Sequence, residues 1–211
     1  MFDISSSLNS NQTWTDIKCF GMSNGLSMVM FKRNLIAFAM FDLESSSWNY
    51  NESSLQSVAD NSIVEVAFVK DKLIILDSRG QLFHHKSISQ EYSIEKVGHI
   101  SCEEVLAACI LSSFIICLTR DKSQTILVQS YNLESKAIKS CSFIQVKSPS
   151  SKYILRALDT EMILIGCPDG SIVECSIDFS SVEILHQCSE SIVEIFPLED
   201  VLYFVQSDGC L

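Results

Sequence analysis

Hydrophobic positions along this chain fall in short runs separated by polar breaks, without a long amphipathic helical window. Between Ser62 and Leu82 the chain reads SIVEVAFVKDKLIILDSRGQL. Ile63-Val-Glu-Val66 is β-branched and weakly alternating, and Lys70-Asp-Lys72 is a charged break. Leu73-Ile-Ile-Leu76 is a continuous apolar run of buried-strand length. Asp77-Ser-Arg-Gly80 supplies a turn in which glycine takes positive φ without a Cβ clash, and Gln81-Leu-Phe83 starts the next run. This pattern predicts an antiparallel meander.

The same unit recurs. Residues 191–211 read SIVEIFPLEDVLYFVQSDGCL, identical to residues 62–82 at nine of 21 positions. A third copy runs through Ile154–Ala157, Met162–Ile165, Cys167-Pro-Asp-Gly170 and Ser171–Val173. A fourth runs through Val105–Cys109, Phe114–Leu118 and Thr125–Val128, with a longer turn lacking glycine at Arg120–Ser123. A degenerate first copy spans Leu26–Met30 and Leu35–Phe41. Glu103–Leu111 also permits a turn or two of helix, with a strand the preferred reading. Ser62 and Ser191 stand 129 residues apart with three repeats in the interval, a period of about 43 residues. Periods of roughly 40–50 with several strands each mark β-propeller blades, because one four-stranded sheet cannot bury both faces alone. The expected fold is all-β: a propeller of antiparallel four-stranded blades with four to five blade units visible. Residues 1–13 read as a polar N-terminal segment and 14–211 as one propeller domain. Ser-rich stretches, Leu43–Trp48, Ser53-Ser54, Ser148–Ser151 and Ser180-Ser181, read as loops. The last copy stops soon after Gly209. Two expectations follow: further blades belong to a longer chain, or the N-terminal segment supplies the final blade's last strand.

Ile63-Val-Glu-Val66-Ala67, Leu76, Gly80 and Leu82-Phe83 resemble the repeat of the regulator of chromosome condensation family. Ile192, Ile195, Val205, Gly209 and Leu211 fall on the same frame. The chain departs from that family where its internal Gly and His stand: Val69 and Lys72 occupy those places in one copy, Leu198 and Val201 in the other. Gly170-Ser-Ile-Val-Glu-Cys175 resembles the closing turn and strand of a WD repeat, whose period fits better, although no Trp-Asp dipeptide is present. Both resemblances imply a propeller. They also imply a scaffold that binds proteins through loops at the blade ends. The alternatives are a guanine-nucleotide-exchange-like or chromatin- and histone-binding propeller. Neither resemblance carries a functional residue across.

Composition narrows this picture. The chain is 47% hydrophobic, enough for a core, and its 15 Lys and Arg against 26 Asp and Glu give a net charge of −11. That balance argues against a phosphate-backbone binder, which needs clustered cations. It permits a basic protein partner and equally serves solubility. The N-terminus has no basic segment followed by an apolar one, and no apolar run reaches 18 residues, so an intracellular, non-membrane protein is expected. Nine cysteines, several inside apolar runs and none in a CxxC pair, read as core thiols.

Candidate chemistry is sparse. His84-His85 are neighbours on one strand and face opposite ways, which predicts one outward and one packed, with no shared metal. Gly21-Met-Ser-Asn-Gly25 matches G-x-S-x-G, but a strand follows where a nucleophile elbow needs a helix, so it reads as a turn. No phosphate-binding glycine loop is present. The sequence therefore predicts no enzyme activity, no cofactor and no metal; the competing expectation is an active site in a central channel. A pocket with convergent polar groups would favour that alternative. The remaining candidates are carboxylates at turns, Asp71, Asp77, Asp159, Asp169, Asp200 and Asp208, expected to charge a blade-end rim and hold partner proteins.

Overall fold

The fold is described from a computed structural model, which describes residues 16–22, 25–32, 35–42, 44, 46–54, 61–69, 72–85, 94–142, 152–198 and 201–209. The described residues form eighteen strands and no helix, so none is available to cross a membrane. Sheet A comprises β1 (Asp16–Met22), β2 (Gly25–Lys32), β3 (Leu35–Asp42) and β4 (Ser47–Ser54). Sheet B comprises β5 (Ile63–Val69), β6 (Lys72–Asp77), β7 (Gln81–His85) and β8 (Ile94–His99). Sheet C comprises β9 (Glu104–Leu111), β10 (Phe114–Arg120), β11 (Ile126–Asn132) and β12 (Ile138–Ser142). Sheet D comprises β13 (Ile154–Ala157), β14 (Met162–Gly166), β15 (Ser171–Ser176) and β16 (Val182–Gln187). Sheet E has two strands, β17 (Ile192–Leu198) and β18 (Val201–Gln206). Each sheet is a meander in sequence order, and the assigned pairings are antiparallel.

The repeat is visible in atomic detail. In both β5–β6 and β17–β18 the register slips between the Ile and the Glu of the shared Ser-Ile-Val-Glu, at Ile63/Glu65 and Ile192/Glu194. A bulge strands one backbone N–H outside the ladder. The shared glutamate answers it: Glu65 Oε1 accepts from Val66 N at 2.9 Å, and Glu194 Oε1 from Ile195 N at 3.0 Å. The shared glycine closes the turn after the second strand, with φ of +77° at Gly80, +86° at Gly170 and +85° at Gly209. In sheet C, where the turn has no glycine, Gln124 takes φ of +63°, braced by Asp121 Oδ1 accepting from Thr125 N at 2.8 Å.

Two compact units divide the chain. The first holds Met1–Asp77 and Leu82–Val97. Its core joins sheets A and B through Val29, Ile36, Ile63, Val66, Leu73, Ile75 and Phe83. The second holds Ser78–Gln81 and Gly98–Leu211. Within it, strand alternation gives sheet D two apolar faces. Leu155, Ile163, Ile165 and Val173 pack on Cys109, Ile116, Leu118 and Val128 of sheet C. Ile154, Leu164 and Ile172 pack on Ile192 and Ile195 of sheet E. Each such side chain contributes roughly 1.5–3 kcal/mol by leaving water. Sheet D is thus sandwiched, with β14 buried from Ile163 to Gly166.

Several expectations need correction. The degenerate first copy, Leu26–Phe41, is the middle pair of sheet A, β2 and β3, because β1 opens that sheet with a more polar strand. Ser47, Trp48, Ser53 and Ser54 belong to strand β4 rather than to loops. Ser148–Ser151 and residues 1–13 lie outside the described residues. Ser180-Ser181 does form a loop, and Glu104–Leu111 is a strand. His84 and His85 are both buried, because β7 lies between β6 and β8 and each of its faces is covered. His84 Nε2 lies 3.6 Å from Glu95 Oε2. Burial, with His84 beside it, lowers the pKa of His85. Met22 pairs with Gly25 across the β1–β2 hairpin, so strands flank the G-x-S-x-G match on both sides; Ser23 and Asn24 themselves lie outside the described residues.

Candidate functional site

Four of the six candidate carboxylates lie among the described residues, and they occupy different kinds of position within their sheets. Asp77, Asp169 and Asp208 stand at the end of their sheets where the second strand turns into the third or leaves the sheet, whereas Asp159 stands at the opposite end of sheet D. Asp71 and Asp200 lie outside the described residues. Asp77 is 1% exposed and accepts from Asn61 Nδ2 at 3.1 Å, so it braces the entry to β5 and presents no charge to a partner. Asp159 and Asp169 are exposed and cap turns. Asp159 Oδ1 accepts from Glu161 N at 2.7 Å and Met162 N at 2.8 Å. Asp169 Oδ1 accepts from Ser171 N at 3.0 Å and Ser171 Oγ at 2.6 Å. Asp178, a turn carboxylate that sequence reasoning missed, accepts from Ser180 N at 3.0 Å and Ser180 Oγ at 2.7 Å. Those bonds hold its pKa down at about 2.

The acidity itself is segregated. Residues 1–156 carry 15 Lys and Arg and 15 Asp and Glu, whereas residues 157–211 carry 11 Asp and Glu and neither Lys nor Arg. The whole net charge of −11 therefore sits on the segment that forms β14 to β18 and their turns. This signal was legible in the sequence, and a whole-chain count hides it. The last cation, Arg156 on β13, is held by Glu194 of β17, Nη2 to Oε1 at 2.7 Å.

A polar cleft lies within the second unit. Ser78, Arg79, Glu103, Glu104, Arg120 and Gln124 line about 310 Å³. Backbone bonds brace it: Glu103 N donates to Arg120 O and Val105 N to Ser78 O, both at 2.9 Å. Arg79 Nη1 donates to Glu103 O at 2.6 Å and lies 3.6 Å from Glu103 Oε2. Arg120 Nη1 donates to Glu104 Oε2 at 2.7 Å. Each guanidinium is thus matched by a glutamate from one dipeptide, and the lining contains no histidine or cysteine to serve as base or nucleophile. The sequence concealed this cleft because its residues come from separate turns and strand ends.

The titratable groups that shift upward lie mostly in the sheets and not in the cleft. Burial pushes the Cys167 and Cys175 thiols up to about 11 and Cys117 well above its usual value. It pushes Tyr153 to about 12, where Cys167 and Asp169 add to the effect and Arg120 opposes it. Cys109, Cys117, Cys167 and Cys175 are buried free thiols, in line with core packing. Among the described residues no three His, Cys, Asp or Glu side chains gather with metal-binding geometry. No protein-family model and no curated protein matches the chain.

Proposed function

We propose that this chain is a protein-interaction module whose sheets are blades of the β-propeller type and whose partners are basic. The observation that carries this reading is the charge segregation: 11 carboxylates and no Lys or Arg over residues 157–211. Solubility alone needs no such asymmetry, whereas a segment carrying one sign of charge steers a cationic partner. The stacking of sheets C, D and E, each a short meander packed on the next, supports blade architecture. The resemblance of the repeats to the regulator of chromosome condensation and WD patterns supports a scaffold role, with a histone-like basic chain as one partner class. An active site in a central channel finds no support in the cleft, whose charged groups neutralise one another.

The test is fluorescence anisotropy with a lysine-rich peptide against the full chain. Asp159→Asn, Asp169→Asn, Asp178→Asn and Asp208→Asn are combined in one variant, because asparagine keeps a turn-capping oxygen while losing the charge. Each exposed charge contributes little alone, and the four changes together weaken binding on the order of tenfold. Binding in the parent also falls as salt shortens the Debye length to about 8 Å near 0.15 M. An unchanged affinity in the variant sinks the reading.

A further inference from the structure

The cleft at Arg79 and Arg120 has a size, a charge pattern and a turn that together specify a ligand. The six residues that line it are all polar. Its volume of about 310 Å³ stands at the lower end of ligand pockets, which run from roughly 300 to 1,000 Å³. That space suits a molecule of about one amino acid and is too small for an extended chain. Its two ion pairs are unequal. Only 16% of the Arg120 side chain is exposed, and Nη1 meets Glu104 Oε2 at 2.7 Å. Arg79 and Glu103 are 57% and 42% exposed, and Arg79 Nη1 lies 3.6 Å from Glu103 Oε2. An exposed pair at that distance is worth little and opens at little cost. Arg79 keeps its place without it, because Nη1 also donates to the Glu103 carbonyl at 2.6 Å. The cleft therefore has one fixed pair and one that admits a guest.

The turn of sheet C shows what else the guest meets. Asp121 N donates to Thr125 O and Gln124 N to Asp121 O, both at 3.0 Å. In sheet D, Cys167 N donates to Ser171 O at 2.9 Å and Gly170 N to Cys167 O at 3.1 Å, the same pair of bonds. Gln124 thus stands where sheet D has its glycine, and it takes the same left-handed backbone, φ of +63° against +86°. Glycine adopts that conformation freely, whereas glutamine is strained there. What glutamine adds is a side chain at the wall of the cleft, where Gln124 is one of the lining residues. A carboxamide both donates and accepts hydrogen bonds, so it matches a polar, uncharged group.

Charge identifies the class of ligand. Two guanidiniums disfavour a lone cation, and two carboxylates disfavour a lone anion. A molecule with an ammonium and a carboxylate close together satisfies both. Its carboxylate takes Arg79, its ammonium takes Glu103, and the loose pair becomes a ring of four alternating charges in which neither protein group loses its counter-charge. We infer that the cleft binds a small polar α-amino acid as its zwitterion, with the carboxylate on Arg79, the ammonium on Glu103 and the side chain toward Gln124. The site lies outside the acidic segment of residues 157–211, so it stands or falls separately from the basic-partner reading.

The probes are L-glutamine, L-asparagine and L-serine, each titrated into the full chain and followed by amide chemical shifts in NMR spectra. At least one is expected to give saturable shifts at Arg79, Glu103 and Gln124, with a dissociation constant on the order of 1 mM. Acetylating its amine leaves only the carboxylate, and amidating its carboxyl leaves only the ammonium; each change weakens binding at least tenfold. Arg79→Gln and Glu103→Gln each weaken the unmodified ligand to the same extent without lowering the melting temperature, since both side chains are exposed. Gln124→Gly keeps the fold, because glycine suits the left-handed backbone, and weakens binding at least threefold. An acetylated ligand that binds as tightly as the free one makes the cleft an anion site, and an amidated one that does so makes it a cation site; either overturns the inference. Shifts that fail to saturate for all three probes, or that saturate only outside the cleft, overturn it as well. Equal affinity in Gln124→Gly overturns the recognition of a polar side chain.

Discussion

Sheets D and E begin with the same hairpin and meet different fates. Both open with two antiparallel strands, and both reach a glycine of positive φ after the second strand. Sheet D continues into β15 and β16, returns over its glycine, and buries both faces of β14 between two neighbours. Sheet E shows one hairpin among the described residues, none of which lies within 4 Å of a Cβ built on Gly209. The difference shows that the glycine serves two separate purposes. Its freedom of φ shapes the turn, which both sheets need. Its missing side chain admits another backbone, as at Gly80 and Gly170.

Substituting alanine separates those purposes and is expected to give the largest effect. At Gly170 a Cβ strikes the Cys188 carbonyl oxygen and lies 2.7 Å from the Glu190 carbonyl oxygen, in addition to occupying a left-handed backbone. Neither obstacle is a flexible side-chain tip, so Gly170→Ala is expected to cost about 3 kcal/mol or more. Gly209→Ala meets only the backbone preference, about 1 kcal/mol. Denaturant titration of the two variants measures the difference. Equal costs break the comparison, because they mean that Gly209 is crowded as well.

Why the sequence disclosed the first halves of these sheets and concealed the second halves follows from burial. β6 and β14 are buried nearly end to end, so their composition is apolar throughout and reads directly as Leu73–Leu76 and Met162–Ile165. The turn glycines are equally legible, because a positive φ leaves few alternatives. Fourth strands lie at the outer edge and lose the signal: β16 is exposed along its whole length and β12 nearly so. Their alternation therefore carries no core face to detect, and β4, with the sequence Ser-Trp-Asn-Tyr-Asn-Glu-Ser-Ser, resembles a loop in composition. The acidic bias over residues 157–211 was open to reading, since it needs only a running count of charge. The cleft of Arg79 and Arg120 was not, since register and turn length decide which strand ends converge.

Alkaline pH offers a second, intermediate separation of the two sheets. Cys167 and Cys175 of the sheet D region have pKa values raised to about 11, from an ordinary 9. A thiol raised in the folded state stabilises the fold fully below the unfolded pKa, and that contribution is lost as pH rises through the folded one. The window is thus pH 9 to 11, and Tyr153, raised to about 12 from 10, extends it. For the fully buried Cys167 the loss is about 1.4 kcal/mol by pH 10. Thermal melts from pH 8 to 11 are expected to decline more steeply for the parent than for Cys167→Ala, although the variant starts lower from its lost packing. Parallel declines remove Cys167 from the account. In sheet E, β17 and β18 carry no cysteine.

The smallest expected effect lies at the turn that sheet D has and sheet E does not show. Asp178 caps the β15–β16 turn, and the Ser180 hydroxyl and backbone N–H hold its pKa at about 2 against an ordinary 3.8. A lowered carboxylate contributes above the unfolded pKa and loses that contribution as pH falls through the folded value, so the window is pH 4 down to 2. The group is fully exposed, so solvent screens much of the charge, and local exchange is a better gauge than global stability. Acidification is expected to speed amide exchange at Ser180 in the parent over this window. In Asp178→Asn the same amide is expected to show an already lowered and nearly pH-independent degree of protection. The neighbouring Asp159 cap, with its bonds to Glu161 N and Met162 N, serves as the internal reference. If Ser180 protection persists to pH 2 in both proteins, the turn is held by Ser176 and Ser181, whose backbone and hydroxyl groups bond across its base at 3.0 Å, rather than by the carboxylate. That outcome would make the β15–β16 turn independent of charge, and would leave Asp178, unlike Asp159, Asp169 and Glu194, without a duty in folding.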